Sequence, residues 1–193
     1  MSVRDTRREA ALERMADHLL LEGLSGASLR PLAAAAGTSD RMLLYYFKDK
    51  DELLTATLGR VMARLAGLLD ETAAGPKPFA MLLAELWAAF RSPALQPYMR
   101  LWIELAASAA RNEAPHRTIA GQIADGFHAW AAGRLLVERE ADRLPLAALL
   151  LATVDGLALL DAVGRGGMAD SAAAALAARP APGAKAPLRG RRG

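Results

Sequence analysis

The sequence predicts an all-α fold, in which a small N-terminal bundle of three helices is joined to a larger helical body. Alanine and leucine supply most of the apolar residues, which make up 53% of the chain, and both favour helix. β-Branched and aromatic residues, which favour strands, are few. Apolar residues also recur at helical spacing along almost the whole chain, and strict apolar and polar alternation is not convincing anywhere.

Four helices are predicted in the N-terminal part. The first covers residues 4–22 and is followed by Gly23, a common helix stop. Short second and third helices begin after Ser28 and Ser39, which are residues that cap helices, and Gly37 separates them. A long fourth helix begins after Asp49.

The body begins after the segment Gly75-Pro76-Lys77-Pro78, which interrupts the helical pattern. Further helices are predicted over residues 79–91, 93–111 (in two pieces), 115–139, 143–163 and 168–178. From residue 179 the chain is rich in Pro, Gly and Arg without periodicity, which predicts a disordered basic tail. The predicted domains are therefore residues 1–54, 55–178 and 179–193.

Composition excludes several classes of protein. The chain has no cysteine, so it has neither a disulfide framework nor a thiolate metal site. Its three histidines lack metal-ligand spacing, and we expect no metal and no cofactor. The N-terminus has no apolar core of a signal peptide, and the apolar run over residues 144–154 is too short to span a bilayer. We therefore expect a cytoplasmic protein that does not engage a membrane.

The whole-chain charge is a weak guide to partners. The net charge is +3 and the pI about 9.6, which alone suggests an anionic partner. However, residues 1–60 carry nine basic and nine acidic side chains, whereas residues 179–193 carry five basic and no acidic ones. The high pI therefore comes from the predicted tail.

The position of the positive charges carries more information. Residues 28–50 have helix-turn-helix form, and Arg30, Arg41 and Lys50 each lie at the start of a predicted helix. A cation is unfavourable there by roughly 0.3–1 kcal/mol, because the helix dipole is positive at that end. A bound phosphate at each start would resolve the conflict. The alternative is local neutralisation by the neighbouring acidic residues Asp40, Asp51 and Glu52.

The same segment carries a family resemblance. Its elements are Ser28-Leu29-Arg30-Pro31-Leu32-Ala33, Ala36-Gly37-Thr38-Ser39, Leu43-Leu44-Tyr45-Tyr46-Phe47, and then Lys50 and Leu53. In combination they resemble the DNA-binding domain of the TetR family of transcriptional regulators over residues 4–54. The resemblance implies that the third helix is the recognition helix. It also implies DNA contacts by Ser28, Arg30, Thr38, Ser39, Asp40, Arg41, Met42, Tyr45, Tyr46 and Lys50.

Some assignments within this segment stay open. Arg41 is the best candidate for reading a base, since arginine pairs bidentately with guanine, but it could instead grip a phosphate. Capping alone would account for Ser28 and Ser39. Tyr45 and Tyr46 are either one buried and one exposed ring or donors to phosphate. The sequence also departs from the family, which often has Tyr at the position of Leu44 and His at that of Tyr46.

Two kinds of site are predicted in the body. Aromatic residues with a few polar ones suggest a pocket for a small effector, formed by Trp87, Phe90, Arg100, Trp102, Glu104, Phe127 and His128. The alternative for each aromatic residue is an ordinary core position. The family resemblance implies a four-helix dimer interface, which we assign to Ile123, Phe127, Trp130, Ala148, Ala152, Gly156 and Leu160.

The resemblance implies a ligand-responsive regulator. Such a protein, most often a repressor, binds palindromic operator DNA as a homodimer and is released by a small-molecule effector. Two other classes are a helical protein-interaction module without DNA binding and a small-molecule enzyme. The enzyme has little support, because no nucleophile elbow, phosphate-binding glycine loop or catalytic cluster occurs in the sequence.

Overall fold

A computed structural model describes residues 3–178, with side chains from Arg4 onward. Within that range the chain forms α-helices and short 3-10 turns without a strand, which confirms the all-α prediction. The helices are α1 (Val3–Glu22), α2 (Leu29–Ala36), α3 (Asp40–Tyr46), α4 (Lys50–Thr72), α5 (Phe79–Phe90), α6 (Gln96–Ala110), α7 (His116–Arg134), α8 (Arg143–Ala162) and α9 (Gly166–Ala177). The predicted tail lies outside the described residues.

Most predicted helix limits agree with the structure within two residues, and two differ. The segment over residues 93–111 forms one helix, α6, after a turn. α7 ends at Arg134 rather than at residue 139, because the next residues are extended beside Lys77. The Lys77 amide donates to the carbonyl oxygen of Arg134 at 2.8 Å, and its carbonyl oxygen accepts from the Leu136 amide at 2.8 Å.

Apolar side chains form two clusters, and α4 takes part in both. The first cluster joins α1, α2, α3 and the first half of α4 to parts of α6 and α7. The second joins the rest of α4 to α5 through α9. The predicted domain boundary at residue 54 falls inside α4, so one rigid helix connects the two clusters.

The N-terminal bundle is held mainly by buried apolar side chains. Met15 and Leu19 of α1, Leu43 of α3, and Phe47 just after α3 are almost fully buried. Ion pairs between α1 and α4 lie around this core, for example Arg64 with Asp17 at 2.6 Å. Pairs of this partly exposed kind contribute about 0–1 kcal/mol each, so burial accounts for most of the stability.

One helix of the body is more apolar than the sequence analysis allowed. The segment Glu140–Ala162 is long and apolar enough, by length and composition alone, to cross a membrane. This corrects the estimate from residues 144–154, because the helix continues well beyond that run. α8 packs against α5, α7 and α9, and a helix in the core of a soluble protein passes the same test. Only 33% of the apolar window is buried within the chain, so much of its apolar surface is exposed.

Two adjacent leucines of α3 provide a test of this packing. Leu43 is 0% exposed and Leu44 is 43% exposed. We expect Leu43→Ala to lower the free energy of unfolding in urea by about 2–5 kcal/mol, since it leaves a cavity in the core. Leu44→Ala should change it by only about 0.5 kcal/mol. Equal effects of the two variants would contradict the observed packing of α3.

Candidate nucleic-acid interface

The turn between α2 and α3 depends on Gly37. This residue adopts a left-handed conformation with φ 69°, and it ends α2. The amide of Thr38 donates to the carbonyl oxygen of Ala33 at 3.0 Å, which closes the turn. A Cβ at Gly37 would be strained in this conformation and would lie 3.0 Å from Arg14 Nη1. The glycine thus sets the angle at which α3 leaves α2.

α3 is anchored on one side and exposed on the other. Leu43 and Phe47 insert into the core of the N-terminal bundle. Asp40 and Arg41 at its start are exposed, and Tyr45 is 58% exposed. A shallow surface groove is lined by Arg41, Met42, Leu44 and Tyr45. Most of the face that the family resemblance assigns to DNA is therefore exposed.

The caps at the helix starts are not alike. Ser39 Oγ accepts a hydrogen bond from the Met42 amide at 3.3 Å, and Asp49 Oδ1 accepts from the Glu52 amide at 2.8 Å. Ser28 occupies the N-cap position of α2, but its side chain makes no capping bond. A capping role therefore explains the serine at position 39. It does not explain Ser28, which is exposed.

The three cations at the helix starts are exposed. Arg30, Arg41 and Lys50 form no ion pair within residues 3–178. Acidic residues lie in the first turns of α3 (Asp40) and α4 (Asp51 and Glu52), whereas the first turn of α2 has none. Glu52 accepts from the Lys48 amide at 2.7 Å and lies 3.9 Å from Arg8. Eight of the other fourteen arginines in the described range form ion pairs: Arg8, Arg60, Arg64, Arg91, Arg111, Arg134, Arg139 and Arg143.

The two tyrosines of α3 differ in burial. Tyr46 is half-buried against the N-terminal core, whereas Tyr45 is exposed, and their rings meet edge to face at 5.6 Å. The guanidinium of Arg4 lies over the Tyr45 ring at 4.7 Å and donates to the Tyr45 carbonyl oxygen at 3.1 Å. Arg4 thus adds a fourth cation to the same surface.

A cavity of about 50 Å³ lies in the body between α4, α6, α7 and α8. Three residues of the predicted effector pocket, Phe90, Trp102 and Phe127, line it together. The remaining walls are formed by Leu58, Val61, Met62, Leu65, Tyr98, Met99, Leu101, Leu105, Ile123, Ala124, Leu151, Val154 and Asp155. Asp155 is the one carboxylate among these lining residues, and the sequence analysis did not include it. The feature of the sequence that could have indicated Asp155 is its position as an acidic residue within the apolar stretch of α8.

The other predicted pocket residues lie elsewhere. Trp87, Arg100 and Glu104 line a separate groove formed by α5, α6 and α8. His128 Nε2 lies 3.0 Å from the carbonyl oxygen of Leu144. The structure therefore does not bring these four side chains into the cavity, because each faces a different neighbour.

Arg100 and Glu104 instead form hydrogen bonds that join α6 to the end of α1 and the residues after it. Arg100 Nη2 donates to the carbonyl oxygens of Leu20 and Leu21 at 2.7 and 2.8 Å. Glu104 Oε2 accepts from the Leu24 amide at 2.6 Å, just after Gly23. A Cβ at Gly23 would lie 2.5 Å from that carboxylate, so this contact requires glycine. The helix that lines the cavity is thus tied to the N-terminal bundle.

The residues predicted for a dimer interface divide into two groups. Ala148, Ala152 and Gly156 are exposed on α8, and Leu160 is half-buried. The three residues from α7 are half-buried within the chain: Ile123 and Phe127 line the cavity, and Trp130 Nε1 donates to Asp70 Oδ1 at 2.7 Å. The residues of α8 therefore form the more accessible part of the predicted interface.

Comparison with known proteins identifies the N-terminal bundle. Residues 9–57 match the model for bacterial regulatory proteins of the tetR family. Over these residues the chain is similar to regulators of the TetR family. Among relatives, the HTH-type transcriptional regulator BetI of Burkholderia thailandensis is 32% identical over 106 residues, which are 53% of this chain and 54% of that protein. BetI of Pseudomonas fluorescens is 28% identical over 58% of each chain. The chain thus spans about half the length of the curated relatives it matches.

Solved structures extend the likeness to the body. A protein of Rhodococcus sp. described as a TetR-family transcriptional regulator has a TM-score of 0.71 and 25% identity, and the match covers 89% of this chain and 94% of that one. A transcriptional regulator from Saccharomonospora viridis, solved in complex with choline, has a TM-score of 0.64 at 20% identity, with the same coverage. The second likeness shows the fold alone. The proteins matched in these comparisons are described as transcriptional regulators.

The environment of Asp155 leads to a pH-dependent prediction. Burial raises the pKa of Asp155, although the Trp102 indole, which donates to Oδ1 at 2.9 Å, partly opposes this. Above about pH 3.9 the unfolded state has lost the Asp155 proton, whereas the folded state still holds it in part. The contribution of Asp155 to the free energy of unfolding therefore falls as the pH rises. We expect Asp155→Asn to gain stability over the wild type as the pH is raised from 4 to 7, measured by urea unfolding.

Asp170 provides a control of opposite sign. The Trp87 indole and the Arg91 guanidinium lower the pKa of Asp170. The ionised form of Asp170 therefore stabilises the fold above about pH 3.9, and this contribution is lost as the pH falls. When the pH is raised toward 4, Asp170→Asn should become less stable relative to the wild type. The same pH trend in both variants would contradict the two assigned environments.

Proposed function

We propose that the chain is a ligand-responsive transcriptional repressor that binds palindromic operator DNA as a homodimer. The observation that carries the proposal is the set of exposed cations at three successive helix starts, Arg30, Arg41 and Lys50, none of which has an ion-pair partner within residues 3–178. They lie in the segment that matches the TetR family. Such unpaired cations beside free backbone amides suit the phosphates of a duplex.

The DNA contacts follow from the position of each side chain. α3 enters the major groove with Thr38, Ser39, Asp40, Arg41 and Met42 at its leading end, where Arg41 reads a base. A second group positions the domain on the phosphates, since these residues lie at helix starts or near the exposed end of α3: Ser28, Arg30, Tyr45, Tyr46 and Lys50. Ser28 suits this role because its hydroxyl is not used for capping.

The exposed surface of α8 supports dimerisation. Small residues follow one another there at Ala148, Ala152 and Gly156, and a Cβ at Gly156 would meet no atom within 4 Å. The apolar side chains of Leu159 and Val163 are also largely exposed on this part of the chain. Small residues let a partner helix approach closely, and covering the apolar ones is favourable. A two-fold dimer of this kind would present two recognition helices to a palindrome.

The cavity supports the effector site. Leu58, Val61, Met62 and Leu65 of α4 form one wall, so a ligand that enlarges the cavity would displace the helix whose first residue is Lys50. The opposite wall includes α6, which Arg100 and Glu104 tie to α1. The effector would weaken DNA binding only as far as it has a higher affinity for the conformation in which these helices are displaced. The choline complex of the Saccharomonospora viridis protein supports a small-molecule effector in a protein of this fold.

DNA binding tests the proposal directly. Duplexes should be selected from a random library with the full chain, and we expect enrichment of a palindrome. For the selected duplex, Arg41→Ala should weaken binding by about 5–150-fold, which corresponds to roughly 1–3 kcal/mol, and should relax selectivity at one base pair. Lys50→Ala should weaken binding to all sequences and reduce the salt slope by about one.

The matched control is Arg165→Ala. Arg165 is exposed before α9, and its side chain bonds only to the carbonyl oxygen of Gly164 in the described structure. This variant should bind the selected duplex as the wild type does. Failure to enrich any duplex, or equal binding by the Arg41, Lys50 and Arg165 variants, would show that this surface does not recognise DNA.

The oligomeric state tests the dimer surface. We expect the wild type to sediment as a dimer at micromolar concentration, and Ala152→Glu to sediment as a monomer, because two carboxylates would be buried at the two-fold contact. Ala88→Glu is the control, since Ala88 is also exposed, on α5. A monomeric wild type, or a dimeric Ala152→Glu variant, would contradict the assignment of α8.

A further inference from the structure

The exposed face of α3 carries an apolar side chain to which no DNA contact has yet been assigned. Leu44 is 43% exposed, although Leu43 before it is fully buried. Leu43 and Tyr46 are the side chains of α3 that pack in the N-terminal core, and Leu44 takes no part in it. Much of the Leu44 side chain therefore lies in water, and covering it with an apolar group would be favourable.

Leu44 lies beside two charged residues on that face. It follows Asp40 by four residues and Arg41 by three, and residues at these spacings are neighbours on the surface of a helix. Both charged residues are exposed. Arg41 and Leu44, together with Met42 and Tyr45, line the shallow groove on α3. An apolar side chain is thus placed within a polar surface, next to the arginine proposed to read a base.

The base edges in the major groove differ in what they offer to a leucine. All four bases present hydrogen-bonding groups there, and thymine alone adds a methyl group. Leucine has no donor and no acceptor, so against a polar base edge it would displace water without replacing the hydrogen bonds. Against the thymine methyl it covers apolar surface instead. Leucine also offers no donor to a phosphate, which distinguishes it from the residues that position the domain.

We propose that Leu44 is a specificity-determining residue that contacts the 5-methyl group of a thymine in each half-site of the operator. The inference rests on the proposed function and adds one base to those that α3 recognises. Arg41 and Leu44 are three residues apart, a rise of about 4.5 Å along the helix, and base pairs follow one another at about 3.4 Å. We therefore expect the thymine within about two base pairs of the one that Arg41 reads.

Replacing thymine by uracil removes this methyl group and keeps the pairing with adenine. In the palindrome selected from the random library, each thymine should be replaced by uracil in turn, at the symmetric positions of both half-sites. The affinity of the full chain is then measured by fluorescence anisotropy. We expect one symmetric replacement near the base pair read by Arg41 to weaken binding by about tenfold, because burying one methyl group contributes about three- to fourfold in each half-site.

Variants of Leu44 assign this effect to its side chain. Leu44 lies outside the core, so Leu44→Ala keeps the fold. It should bind the thymine duplex about as weakly as the wild type binds the uracil duplex, and uracil should then weaken its binding by no more than about twofold. Leu44→Met keeps an apolar side chain of similar volume and should stay sensitive to uracil. An effect of uracil that persists unchanged in Leu44→Ala would overturn the proposal.

Two control variants each remove a different exposed apolar side chain. Met42 is also exposed on α3, but it lies two residues from Leu44 and therefore on the opposite flank of Leu43. Leu136 is 61% exposed in the body, just after α7. Met42→Ala and Leu136→Ala should both stay sensitive to uracil at the position assigned to Leu44. Loss of that sensitivity in Met42→Ala would assign the methyl contact to the methionine and contradict the role of Leu44.

The outcomes separate this inference from the proposed function. If a palindrome is selected but uracil has no effect near the base pair read by Arg41, the regulator stands and the contact by Leu44 is wrong. A selected half-site without thymine at those positions has the same meaning. If no duplex is selected, the DNA-binding function is wrong, and the contact by Leu44 is wrong with it.

Discussion

The structure depends on one long helix that belongs to two hydrophobic cores. Leu53, Leu54 and Leu58 of α4 are buried in the N-terminal bundle, whereas Leu65 and Leu69 are buried in the body. An α-helix is stiff along its axis, so a displacement of its second half must also move its first residue, Lys50. This constraint makes the position of the N-terminal bundle sensitive to the packing of the body.

A second connection runs through α6. Its buried side chains line the cavity, while Arg100 and Glu104 bind the end of α1 and the residues after it. Salt bridges from Arg60 and Arg64 of α4 to acidic residues of α1 complete this frame. The N-terminal bundle is thus held by α4 and α6 together, and the cavity lies between those two helices. A ligand that acts through the cavity would therefore act on both helices.

Local rules made the N-terminal part predictable. Ser39 and Asp49 cap helices as predicted, and Gly37 takes the left-handed conformation that its place after α2 required. The end of α7 was not predictable, because it depends on pairing with Lys77, a distant residue in the sequence. The roles of Arg100 and Glu104 were also missed. A polar residue beside aromatic ones in sequence shows only that it lies near them, and the helix rotation decides which neighbour it meets.

Asp155 and Gly156 connect the two proposed sites of the body. They are adjacent in α8, yet Asp155 lines the cavity and Gly156 is exposed on the surface proposed for the dimer contact. Successive residues of a helix point about a quarter-turn or more apart, so a single turn can serve both surfaces. An effector that displaces Asp155 in the cavity would rotate or shift that turn and with it the proposed contact between subunits. The spacing of the two recognition helices would then change through α8 as well as through α4.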